Sequence, residues 1–391
     1  MTRAPSRSVV GADRLGTRRA GESSRRTVVT STITHAEAYL VDIAVETVRT
    51  DAVQAFLKQE TVFVEVRTGD GRQGTGYSYT IGTGGTAVLA LLRDHLVPRL
   101  IGLDAARVEA VWRELYASTR ATAVGAITSL ALAAIDTALW DLRAKAAGLP
   151  LWVLAGGAKD RIALYDTEGG WLHLSTEELV AGATASQAAG WPGVKLKVGK
   201  PDPAEDAERI AAVRAAVGNR LDVMVDANQS LTAAEAIRRA RLLEPYGLAW
   251  FEEPLPADDV AGHELLARST SIPIAVGESM YSIGQFAEYV RRQAAGIIQV
   301  DVARIGGITP WLKVAHLAEA CNVAVCPHFL MELHVSLCAA VPNSRYLEYI
   351  PQLRAVTRSE IAVVDGHALA PSTPGLGIDW DRDAIEDRRV A

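Results

Sequence analysis

The chain has 391 residues, enough for two or three domains of ordinary size, each with a real core, which excludes a disulfide miniprotein. Apolar residues make up 49% and charged residues 22%, a globular composition, neither collagenous nor disordered as a whole. A net charge of −6 provides no general positive field for phosphate backbones, so nucleic acid is not an expected partner. The three cysteines, Cys321, Cys326 and Cys338, form no CxxC pair and an odd set, as expected of a reducing cytoplasm. The longest apolar stretch, Val124 to Leu142, is interrupted by Asp136 and Asp141 and reads as a buried helix, so no membrane span is expected.

Residues 1–32 hold seven arginines and no apolar block, and read as a disordered extension ahead of the first domain. Extended segments follow from Thr34 to Tyr79, where Thr61 to Arg67 and Gln73 to Tyr79 flank the turn signal Gly69-Asp70-Gly71 and predict an antiparallel pair. Helices are predicted over 86–99, 105–118 and 124–147, the last closed by Gly148 with Pro150 beyond it. Strands followed by helices make residues 33–155 an α+β domain. After Gly156-Gly157 eight short apolar runs alternate with helical stretches: 162–168, 193–199, 221–228, 248–254, 272–278, 296–301, 322–328 and 345–349. Such alternation requires a parallel sheet with right-handed crossovers, and eight units close naturally into a barrel, here over 156–354. The competing doubly wound sheet would carry a Gly-rich fingerprint after its first strand, and ALYDTEGG is a poor one.

Lys197, Asp226, Glu252, Glu278, Asp301, His328 and Glu348 fall at or near the C-terminal ends of successive strands, separated by 29, 26, 26, 23, 27 and 20 residues. Barrel closure would bring them together on the face where barrel enzymes hold their active sites. Asp226, Glu252 and Glu278 come from three consecutive strands, and three converging carboxylates need a cation. An all-oxygen set suits Mg²⁺ or Mn²⁺ rather than zinc. Only one of the adjacent pair Glu252 and Glu253 is expected to point inward. Lys195 and Lys197 share one face of a strand, and two neighbouring ammonium groups are expected to lower each other's pKa, making one a usable base. His328 and Asp301 are expected to form a dyad, and Glu348 to donate to a developing oxyanion if held protonated. His334 and the remaining histidines are read as structural.

The motifs KLKVG, VDANQS, FEEP, GES, QVDVARIGG, PHFLME and YLEY resemble those of the enolase superfamily, mandelate racemase subgroup, over most of residues 35–380. The resemblance implies an α+β capping domain and a modified TIM barrel, (β/α)₇β, with 355–391 returning toward the capping domain. It also implies Mg²⁺ on Asp226, Glu252 and Glu278, with Lys197 and the His328–Asp301 pair as opposed bases. Lys195 and Glu348 would lie near the substrate carboxylate and the enediolate, and Asn228 beside the first metal ligand. Thr167 to His173, with GVKLKVG and PHFLMELH, is most similar to galactarate/L-talarate-type acid sugar dehydratases. Those enzymes carry a Lys-Arg pair after a Ser-Tyr, whereas here Ser78-Tyr79 is followed by Thr80-Ile81-Gly82-Thr83-Gly84-Gly85, so a diacid and an aldonate both stay open. Tyr79 is expected to be a specificity residue in that Gly-rich loop.

The reaction expected is Mg²⁺-dependent removal of the α-proton of a small hydroxy-carboxylate, then dehydration to a 2-keto-3-deoxy acid. Return of a proton to the α-carbon would instead make a racemase or epimerase. A metal-dependent barrel hydrolase and a non-catalytic binding protein are the alternatives from other classes, and family resemblance implies a homo-oligomer, dimer or octamer.

Overall fold

The hairpin signal around Gly69-Asp70-Gly71 is realised in the computed structural model, which describes residues 31–56 and 58–391. The expected N-terminal extension lies outside the described residues except for its last two. Strand β2 (Lys58–Thr68) pairs antiparallel with β3 (Gln73–Thr80) on one side and β1 (Ile33–Ala44) on the other. The helix Ala126–Ala147 lies against this sheet, closed by Gly148 at φ 66°. Its approach is so close that a Cβ on Gly76 would stand 2.2 Å from Ala134 O, which is why the strand carries glycine there. The helix predicted over 86–99 is instead Gly85–Leu91, a π-helical turn Leu92–Leu96 and Val97–Leu100. Pro98 has no N–H to continue the ladder and accounts for the widening. The next helix, Val108–Ser118, starts three residues later than predicted.

Asp136 and Asp141, the interruptions of the apolar stretch, are both buried fasteners. Asp136 accepts hydrogen bonds from Thr309 N (2.8 Å) and Thr309 Oγ1 (2.7 Å) at the start of the helix Ile308–Ala320. Asp141 accepts from Thr75 N (2.8 Å) and Leu376 N (3.0 Å). An unpaired buried carboxylate would be costly, so Asp136 ties the helix to the start of Ile308–Ala320 and Asp141 ties it to both β3 and Leu376.

All eight apolar runs form strands: β4 (Arg161–Asp166), β5 (Gly193–Lys197), β6 (Asp222–Asp226), β7 (Trp250–Glu252), β8 (Ile274–Val276), β9 (Ile297–Ile298), β10 (Ala324–Val325) and β11 (Tyr346–Tyr349). Neighbours pair in parallel from β4 to β10; β11 pairs with β4, and Val325 bridges Ser344 just ahead of β11, closing the ring. Its interior contains a buried layer of Tyr165, Met224, Trp250, Ala275, Ile297, Cys326 and Tyr346, an apolar floor beneath the strand ends. After β11 a short 3₁₀ turn, Arg354–Val356, stands where a long helix would be. The hairpin β12 (Val363–Val364) and β13 (His367–Leu369) then stays on the barrel, because β5 leaves the first half of β4 unpaired and β13 covers it. From Leu376 onward the chain reaches the capping domain: Trp380 packs edge-on against Phe63 and Tyr77, Arg382 donates to Thr75 Oγ1 (2.8 Å), and Val390 N donates to Leu40 O (2.9 Å). Among the described residues no helix is long and apolar enough to cross a membrane.

Candidate active site

Strand register puts the charges in a row. Lys197 pairs with Asp226 across β5 and β6, and Asp226 with Glu252 across β6 and β7, at the C-terminal ends of all three strands. Glu278 lies just past β8, and ligand-competent oxygens of Asp226, Glu252 and Glu278 come within 4.8 Å of one another. All three side chains are buried. Asp226 also accepts from Asn228 N (2.9 Å) and Glu252 from Trp250 Nε1 (2.9 Å), which leaves the facing oxygens oriented. Burial pushes Glu252 up to about 7, whereas the equally buried Asp226 is brought below the usual carboxylate range by Lys197 and Lys195. An oxygen-only, buried, acid-rich cage of this kind fits a hard divalent cation. Both members of the Glu252–Glu253 pair are buried, but on different sides: Glu253, at φ 35°, accepts from Gln229 Nε2 (2.9 Å) behind the cage.

Lys195 and Lys197 do point together into the barrel. Lys195 Nζ lies 2.7 Å from Glu252, 2.8 Å from Glu348 and 3.6 Å from Asp226; Lys197 Nζ lies 2.5 Å from Asp226. The expected mutual lowering of their pKa is reversed. Burial pulls both down, but Glu252 and Glu348 hold Lys195, and Asp226 holds Lys197, above the ordinary lysine value. Glu348 is likewise not held protonated: burial opposes its charge, yet Lys195 brings it well below the usual range. It accepts from Thr167 Oγ1 (2.8 Å) and Phe329 N (2.9 Å) as an anion would.

His328 Nδ1 lies 2.9 Å from Asp301 Oδ2, and its Nε2 is 3.4 Å from Glu278. Burial works against a charged His328, but Glu278 and Asp301 more than offset it and raise its pKa. Burial also works against ionisation of Asp301, which the His328 hydrogen bond brings down to about 2. Tyr79 is not in a loop. Pairing of Thr80 with Glu60 carries β3 past it, so the Gly-rich loop begins only beyond the strand. Its buried hydroxyl donates to Asp301 Oδ2 (2.7 Å) and its ring stacks on Phe329 at 4.6 Å, so it orients the dyad rather than facing a ligand. His334 is structural: its Nε2 accepts from Val302 N (3.1 Å), and burial lowers its pKa to about 4.

Lys195, Lys197, Asn228, Glu278, His328 and Glu348 line one small, tightly enclosed cavity. Asp226 and Glu252 are fully buried beside them and Asp301 stands behind His328. Several lining residues had no assigned role. Arg304 reaches Glu278 O (3.0 Å) and Glu278 Oε1 (3.4 Å) and lies 5.9 Å from the Tyr79 ring centre. Trp171 holds its ring 5.4 Å from Lys197 Nζ. Arg304 and Trp171 sit inside motifs already legible, but nothing in their spacing signalled the contacts. Asp51, Gln54 and Phe56 come from the segment between β1 and β2, which has no periodicity to read.

Residues 35–156 match the family model described as mandelate racemase / muconate lactonizing enzyme, N-terminal domain, and residues 178–384 match enolase C-terminal domain-like. The chain belongs to the mandelate racemase/muconate lactonizing enzyme family of the enolase superfamily. Within that family it is 36% identical over 323 residues to L-talarate/galactarate dehydratase of Salmonella typhimurium, covering 83% of this chain and 81% of that protein. It is also 36% identical over 332 residues to 3,6-anhydro-alpha-L-galactonate cycloisomerase of Streptomyces coelicolor, covering 85% and 92%. Among solved structures, L-talarate dehydratase from Polaromonas sp. JS666, complexed with Mg and L-glucarate, superposes with a TM-score of 0.88 at 37% identity, over 92% of this chain and 98% of that one.

Proposed function

We propose that this family member dehydrates an acid sugar to a 2-keto-3-deoxy acid, with Mg²⁺, or Mn²⁺ in its place, held by Asp226, Glu252 and Glu278. The ion named with the Polaromonas relative and the acid-rich cage of this chain both support that cofactor. Bound there, it would supply Lewis-acid charge that makes the α-C–H of a carboxylate acidic enough to remove. Lys197, whose Nζ lies 2.5 Å from Asp226, takes the α-proton in its neutral form. Lys195, held by Glu348 at 2.8 Å, stands where charge develops on the substrate carboxylate, with Asn228 alongside. His328, oriented by Asp301, gives a proton to the departing β-hydroxyl, so that one water leaves and the enol product ketonises.

The observation that carries this reading is that Lys197 and His328 line the same cavity, from strands three apart by the short way round the ring, beside the acidic cage. An elimination needs a base at the α-carbon and an acid at the β-oxygen, and Lys197 and His328, on different sides of the cavity, supply the two. The test incubates the protein with Mg²⁺ and a panel of sugar acids in D₂O, following keto-acid release and α-hydrogen exchange. Keto acid that disappears with EDTA is the expected result. Exchange with inversion and no keto acid would make the protein a racemase, and zinc-dependent ester or amide cleavage would overturn the reading. The three cysteines are free, in keeping with a cytoplasmic setting. Light scattering reads the homo-oligomer, dimer or octamer, that belongs to the same proposal.

A further inference from the structure

One wall of the cavity, facing the strand-end charges, is built by the segment between β1 and β2 and by the start of the Gly-rich loop: Asp51, Gln54, Phe56 and Ile81. This wall is held in place. Arg49 binds Glu168 through its Nε (3.1 Å) and through Nη2, and Thr50 Oγ1 meets His173 Nδ1 at 2.7 Å. Leu172 N donates to Thr50 O (3.1 Å). Asp51 is further fixed by its own turn, one carboxylate oxygen accepting from Val53 N (2.7 Å) and Gln54 N (2.8 Å). Its other oxygen and the Gln54 side-chain amide have no hydrogen-bond partner among the described residues.

We propose that the substrate carries a single carboxylate, and that its far end is uncharged and hydroxylated, bound by Asp51 and Gln54: an aldonate rather than an aldarate. This rests on the dehydratase reading and names its substrate class. A second carboxylate would need a cation at that wall, and each cation near it already has a partner. With the acidic trio given to the ion, Lys195 is still held by Glu348, Arg304 by the Glu278 backbone oxygen (3.0 Å) with Asp301 at 4.0 Å, and His328 by Asp301, while Lys197 serves the α-proton. Arg49 is bound to Glu168 and Lys58 to Asp42 at 2.7 Å. What a second carboxylate would meet is the Asp51 carboxylate, a like charge in a half-buried setting. A hydroxyl, in contrast, donates to the open oxygen of Asp51 and accepts from the Gln54 amide, and vicinal hydroxyls use both.

The experiment compares wild type, Asp51→Asn and Asp51→Lys in the Mg²⁺-loaded enzyme on pairs of aldonates and aldarates of matched stereochemistry. Binding of the same pairs to the unreactive Lys197→Ala protein is titrated in parallel. The expected wild-type preference for the aldonate is about 10- to 100-fold in kcat/KM. Asp51→Asn should narrow it, chiefly through KM, and Asp51→Lys should reverse it, with unchanged far-ultraviolet circular dichroism. Preference of the wild type for an aldarate, or a ratio that neither substitution moves, overturns the inference while leaving dehydration standing. Absence of exchange and of keto acid with every acid in both series overturns dehydration and this inference together.

Discussion

The barrel rim and the segment between β1 and β2 hold polar groups in different ways. At the rim, Lys197, Asp226 and Glu252 are neighbours by strand register, all buried over an apolar floor, and each is paired to another charge. In the capping segment Asp51 and Gln54 are not buried, and their place depends on the Arg49–Glu168 pair and the Thr50 contacts. Groups in the low-dielectric rim interact strongly and cannot move independently. Groups on a pinned surface segment are free to pair with whatever enters. Reactivity should therefore reside in the rim and selectivity in the segment.

The largest effects should come from the rim. Lys197→Ala and His328→Asn should each lower kcat by about a thousandfold or more with Mg²⁺ binding retained, as read by keto-acid assay and calorimetric titration. Full turnover in either variant would remove the proton-transfer roles. Tyr79→Phe keeps the ring stack and loses the 2.7 Å hydrogen bond to Asp301, so kcat should fall about tenfold. With one donor fewer on Asp301 the negative charge facing His328 grows, so the pH limb belonging to His328 should move upward; an unmoved limb would leave Tyr79 a packing residue only.

The segment should respond in KM. Arg49→Ala releases the Glu168 anchor, and KM should rise about tenfold while kcat changes little, a split that steady-state kinetics reads directly. A fall in kcat alone would tie the segment to the chemistry instead.

The smallest functional effect belongs to the fastener between the capping helix and the barrel. Burial raises Asp136 to about 7, against an unfolded value of about 3.9. The folded chain thus binds a proton there that the unfolded chain has lost, and the associated stability is complete below about pH 4 and disappears as pH rises through about 7. Asp136→Asn keeps an acceptor for Thr309 N, and its amide can donate to Thr309 Oγ1. It should flatten that part of the stability profile in denaturant titrations and leave turnover unchanged.

Apolar runs alternating with helical stretches made the eight barrel strands legible, and one ionisable residue at each of seven strand ends did the same for the acidic trio, Lys197 and the His328–Asp301 pair, because side-chain alternation and one βα unit per repeat leave a linear trace. The protonation of those groups left no such trace. Whether Lys197 or Glu348 sits above or below its ordinary pKa depends on which charges come within about 3 Å, and Asp226 and Lys195 are distant in the chain from the groups they govern. Tyr79 was misplaced for a related reason: strand pairing with β2, not the glycines that follow, decides where β3 ends. The amino-acid order by itself determined the barrel, its capping partner and which ionisable residues gather at the rim. Only the tertiary structure decided which of those groups are charged and that Asp51 and Gln54 complete the cavity, since burial and through-space charge belong to the folded arrangement.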